Sequence, residues 1–167
     1  MYQLSVLVHV LSAVVWVGGM LFLALVVVPV ARDLPSVERA SLVGAIGRRF
    51  RVVGWVCIGL LIASGVVNSA YRGASWENLA SGELLQSRFG QVLAAKLGLV
   101  VVMLVMSALH DFVIGPASVS ALERADPGSR HEAASLRRRA SWMARVNATL
   151  ALLVVALAVA LVRGLPL

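Results

Sequence analysis

Residues 4–32 read LSVLVHVLSAVVWVGGMLFLALVVVPVAR. No charged side chain interrupts the run before Arg32, and at 1.5 Å per residue a helix of this length more than crosses the ~30 Å hydrocarbon core of a bilayer. No basic residue precedes it and no small-residue cleavage site follows, so the stretch is expected to remain in the mature chain as a spanning helix rather than leave as a signal peptide. It nevertheless holds an imidazole, His9, close to its start.

The rest of the chain continues this pattern. Of 167 residues, 60% are hydrophobic, and the mean hydropathy of +0.90 is far above what the core of a soluble domain this size requires. Apolar stretches at about 3–30, 52–71, 89–113 and 142–163 are each long enough to span. The expected fold is all-α: a single polytopic membrane domain, residues 1–167, built as a four-transmembrane-helix bundle.

The basic residues orient it. Arg32, Arg39, Arg48, Arg49 and Arg51 fall between the first two spans, and Arg124, Arg130, Arg137, Arg138, Arg139 and Arg145 before the last. The other side carries Arg72, Arg88 and Arg163, with Lys96 inside the third span. Because basic residues collect in cytoplasmic loops, both termini are expected on the non-cytoplasmic side of the cell membrane. The net charge of +7 has the same origin. It implies a bilayer as partner and no nucleic acid. Trp55 and Trp142 mark the cytoplasmic boundary, and Tyr2, Tyr71 and Trp76 the other.

Shorter signals lie in the connections. Val37, Ala40, Ile46 and Phe50 alternate with charges over about 35–51, as in an amphipathic helix lying on the membrane. In DPGSRHE, Ser129 and Glu132 have capping-box spacing, placing a helix start near Arg130 with His131 on a solvated extension. RGASWENLASGELLQSR, residues 72–88, is expected to hold a short interfacial helix, and Gly115 and Pro116 to close the third span. Cys57, the single cysteine, forms no internal disulfide and reads as an apolar filler, with a copper thiolate as the alternative.

Polar residues within the spans are costly and so mark candidate sites. Counted from the outer surface, His9 and Lys96 lie at one depth, with Ser64 and Asn68 brought toward it on the second helix. Trp16 and Met20 follow His9 at seven and eleven residues, on the same helical face. Lys96, Met103, Ser107 and His110 share a second face, whose inner end lies level with Asn147 on the last helix. His9 and His110 are ~21 Å apart in depth at 1.5 Å per residue, too far to share a ligand.

HVLSAVVWVGGMLFLALVVVP resembles the opening of the copper resistance protein D (CopD) membrane domains, with a histidine followed by small residues, a tryptophan and a glycine pair. RRFRVVGWVCIGLLIASGV, AAKLGLVVVMLVMSALHDFVIGP and RRRASWMARVNATLALLVVALAV look like the later spans of that group, which is also similar to the HemJ-type protoporphyrinogen oxidases. The resemblance implies a four-helix membrane domain, copper handling on one side, and haem b with porphyrinogen oxidation on the other. By it, His9 and Lys96 occupy the functional histidine and lysine of the HemJ pattern. The chain departs from that pattern late in the third span, where the histidine is displaced by about one turn, and at VNATL, which lacks an acidic residue after Asn147.

Three readings follow. The first is a haem b redox protein, with His9, His110 or both as axial ligands to separate haems, Trp16, Met20, Asn68 and Asn147 around the cofactor, and Lys96 in catalysis as a proton carrier or propionate partner. A membrane redox partner would accompany it. The second is copper uptake or resistance, with His9 or His110 as metal ligand beside Met20, Met103, Met106 or Cys57. The third is an accessory subunit of a larger complex. Gly18 and Gly19 permit close helix approach, within the chain in preference to a homo-oligomer.

Overall fold

The computed structural model describes residues 1–73, 75, 77, 81–117 and 127–163; Trp76 and Arg124 lie outside them. The described residues are helical and contain no strand. Four helical stretches are long and apolar enough to cross a membrane: Tyr2–Ala31, Ser41–Ala70, Gly90–Ala117 and Ala134–Val159. Burial is distributed accordingly. Leu4, Leu7, Val14 and Leu25 are exposed, whereas Ser12, Ser64 and Asn147 are buried, an arrangement that suits a solvent of lipid and a small-residue, polar interior.

The chain forms two compact units, Met1–Gln91 and Val92–Leu167. In the first, α1 (Tyr2–Phe22) passes through a π-helical turn, Leu23–Val27, into α2 (Val28–Ala31). The Val28 N–H donates to the Leu23 carbonyl, five residues back. Pro29 explains the widening. A proline has no N–H to give, and its ring crowds the carbonyl four residues back, so a looser turn just before it relieves the clash.

After a tight turn, Pro35 takes an extended conformation, φ −51° and ψ 148°, and α3 (Ser36–Ala70) begins. Glu38 sits in its first turn, where a carboxylate favours the positive end of the helix dipole. The amphipathic stretch and the second span are thus one unbroken helix of 35 residues, with no separation at residue 52. Arg48, Arg49 and Arg51 are good helix formers, so the change from polar to apolar marks a change of solvent and not a helix end. The chain leaves α3 through Gly73, whose φ of +85° lies in the left-handed region.

Helix α1 packs against α3. Tyr2 meets Tyr71 with ring centroids 5.2 Å apart, His9 meets Ser64, and Trp16 and Gly19 approach Gly54 and Phe50. Partners rise along one helix as they fall along the other, so the pair is antiparallel. Glycines set the spacing. A Cβ on Gly54 would stand 3.6 Å from the Trp16 indole, ordinary contact, whereas one on Gly19 would overlap the Phe50 ring. Of the glycine pair, only Gly19 faces α3; Gly18 meets nothing within 4 Å.

A short helix, α4 (Glu83–Gln86), lies in the connection after Gly73. The Gly90 N–H then donates to the Ser87 hydroxyl at 3.0 Å, an N-cap for α5 (Arg88–Leu109).

In the second unit a π turn, His110–Ile114, extends α5, with the Gly115 N–H donating to the His110 carbonyl. Gly115 therefore does not close the span: its φ of −59° and ψ of −57° are helical, and the helix runs to Ala117. Pro116 is accommodated as Pro29 is, by a widened turn directly before it. Helix α6 (Pro127–Arg163) packs against this π turn. It starts on Pro127, whose ring presets the dihedral of a first helical residue, so Ser129 lies inside the helix and is not its cap. His131 is exposed on the extension.

Candidate metal-binding histidines

The apolar run that makes α1 a span also fixes the address of His9, because only one face of α1 meets α3. On that face, Ser64 gathers four contacts, the weakest of them from its hydroxyl to the Leu61 carbonyl at 3.4 Å. Its hydroxyl donates to the Leu60 carbonyl at 2.5 Å, one turn back, a bond that serines in helices commonly make. His9 Nδ1 lies 2.9 Å from the same Ser64 Oγ, and the Ser5 hydroxyl donates to the Ser64 carbonyl at 3.3 Å. A Cβ on Gly65 would stand 3.5 Å from His9 Cε1, an ordinary contact, so the ring rests beside this position. Asn68, one turn beyond Ser64, has a solvent-shielded Oδ1 with no hydrogen-bond partner among the described residues.

Further along the seam Trp16 is 8% exposed and Cys57 6%. Met20 is half-buried one turn after Trp16. Eleven residues separate His9 from Met20, about 16 Å along the axis. They share a face but not an ion.

In the second unit, Asn147 Nδ2 donates to Ser107 Oγ at 3.1 Å, joining α6 to α5. Met103, 1% exposed, lies one turn before Ser107. His110 Nδ1 is 3.0 Å from Asp111 Oδ1. An ionised carboxylate only accepts, so this contact puts the proton on Nδ1 and the basic lone pair on Nε2. Asp111 is thus an orienting partner of the kind that metal-binding histidines use. Met106, half-buried, stands one turn before His110 on the same face. Lys96 is half-buried two turns before Met103. Among the described residues, no three His, Cys, Asp or Glu side chains converge on one point.

The structure brings His9 to Ser64 and Asn147 to Ser107, one turn from His110. The sequence holds no hint of Ser5, which looks like a boundary residue, or of Gly65.

A multi-pass, all-α membrane protein with oriented histidines inside its helices is the class that fold and clusters define. The chain belongs to the copper resistance protein D family, whose model matches residues 44–161. That match takes in α5 and most of α3 and α6 but begins after α1, so His9, Trp16 and Met20 fall outside it. The chain is 33% identical over 160 residues, 95% of its length and 94% of the relative's, to an uncharacterized protein of Aquifex aeolicus (strain VF5). It is also 30% identical over 102 residues to the copper transport protein CutJ of Bacillus subtilis (strain 168), covering 61% of this chain and 17% of that protein. No solved structure matches.

Proposed function

We propose that the chain is a copper-handling membrane module in which Cu(I) is cargo, received at His9 near the non-cytoplasmic surface. The observation that carries this reading is the family match, which links the spans within residues 44–161 to copper resistance; His9 lies upstream of it and joins the reading as a buried-seam imidazole held by Ser64. The side chains suit the ion. Cu(I) favours soft thioether and thiolate donors and accepts imidazole, and the described residues offer imidazoles at His9 and His110, thioethers at Met20, Met103 and Met106, and the thiol of Cys57. His9 and Met20, about 16 Å apart at 1.5 Å per residue, would be successive stations and not co-ligands. Met106 and His110, one turn apart, are close enough to act on one ion. Lys96 serves proton or charge balance, because a protonated amine has no lone pair for a metal.

Haem b is the weaker reading, because the family match names copper resistance and not haem. Titration of the purified protein with Cu(I), alongside its absorption spectrum, separates the two. Saturable Cu(I) binding without a Soret band is expected, and Lys96→Met should retain that binding while slowing copper movement in vesicles. A stoichiometric Soret band with no Cu(I) binding would reverse the assignment.

The proposal takes both termini as non-cytoplasmic, the side away from Arg48, Arg49, Arg51 and the Arg137 to Arg139 run. In a Cys57→Ala background, Gln3→Cys, at an exposed position, should react with a membrane-impermeant thiol reagent in intact cells. Labelling only after permeabilisation would invert the orientation.

A further inference from the structure

We infer that Ser64 is a positioning residue: it fixes His9 as the Nδ1-protonated tautomer, so that Nε2 is the nitrogen presented to Cu(I). The inference rests on the copper reading for its ligand, but its structural half stands by itself. Two oxygens 2.5 Å apart need a proton between them, and of Ser64 Oγ and the Leu60 carbonyl only the hydroxyl has one. The Ser64 proton is therefore committed along its own helix. What Oγ offers to His9, 2.9 Å away, is a lone pair. An acceptor facing Nδ1 requires Nδ1 to carry hydrogen, and a neutral imidazole then keeps its basic lone pair on Nε2.

Neighbouring contacts hold this arrangement in place. The Ser5 hydroxyl donates to the Ser64 carbonyl, tying α1 to α3 one turn from His9. Ser64 itself is buried, which keeps water from competing for the bond. His110 reaches the same tautomer through a different partner, the Asp111 carboxylate. The neutral hydroxyl beside His9 orients the ring without adding a negative charge in the membrane, where charge is expensive.

The test combines a tautomer measurement with a binding measurement. In protein labelled with 15N at histidine, the metal-free wild type should show His9 protonated at Nδ1 and unprotonated at Nε2. Ser64→Ala should release the preference and weaken Cu(I) binding by about 10- to 100-fold, the usual loss for a partner that orients a ligand histidine. Ser64→Thr keeps the hydroxyl and should restore both signals. A wild-type His9 protonated at Nε2 or at both nitrogens, or an Ser64→Ala variant with an unchanged tautomer ratio, overturns the inference without recourse to any metal. If instead the tautomer responds as expected while Cu(I) affinity does not move, Ser64 keeps its positioning role and the assignment of copper to His9 fails.

Discussion

Replacing His9 by alanine should lower Cu(I) affinity by more than the ~10- to 100-fold expected from loss of its Ser64 partner, because the variant removes the donor atom and not merely its orientation. Folding should survive. Ser64 still donates to Leu60 within α3, so no hydroxyl proton is stranded in an apolar setting, and Ser5 still holds the Ser64 carbonyl. The cavity left by the ring lies beside Gly65, at a seam otherwise closed by Tyr2, Tyr71, Trp16 and Phe50. Equilibrium titration against a Cu(I) chelator gives the affinity, and circular dichroism in the same detergent shows whether helix content is retained. Wild-type affinity in the variant would remove His9 from the copper path and transfer the site to the Met106 and His110 pair.

The second large effect is structural. Gly19→Leu should destabilise the protein by about 1–3 kcal/mol or more, the range for overfilling a packed contact, because even a Cβ at this position would overlap the Phe50 ring. Gly18→Leu, one residue earlier with nothing within 4 Å of its Cβ position, should be nearly neutral and serves as its control. Phe50→Ala in the Gly19→Leu background should recover part of the loss by returning volume to the seam. Unfolding curves in mixed micelles for the two single leucine variants and the double variant measure all three. Equal losses at positions 18 and 19 would contradict the placement of Gly19 against α3.

Both effects trace back to what could and could not be read in the chain. The four spans were legible because lipid imposes one rule, about twenty apolar residues with every backbone group bonded internally, and composition alone reports it. The partnership of His9 with the Ser64 face followed from helical spacing and an antiparallel neighbour. The helix limits were less legible. Arg48, Arg49 and Arg51 made residue 52 look like a start, although arginine has no tendency to stop a helix, and Ser129 looked like a cap although Pro127 was already in place. The Oγ of Ser64 could not be assigned as donor or acceptor from the sequence, since that depends on a carbonyl, Leu60, that belongs to every residue type alike.

The two widened turns in front of Pro29 and Pro116 have a consequence for how the connections leave the helices. Each admits one residue more than a regular turn, so everything after it is rotated by about 100° from the azimuth that 3.6-residue spacing would give. The rotated tail after the first of these turns is short, Val28–Ala31. His9 and Trp16 lie upstream and are untouched. Loss or gain of a single residue in the turn before Pro29 would therefore redirect the chain into the following connection while the His9 face kept its aim. The heading of that connection and the geometry of the His9 face can vary independently.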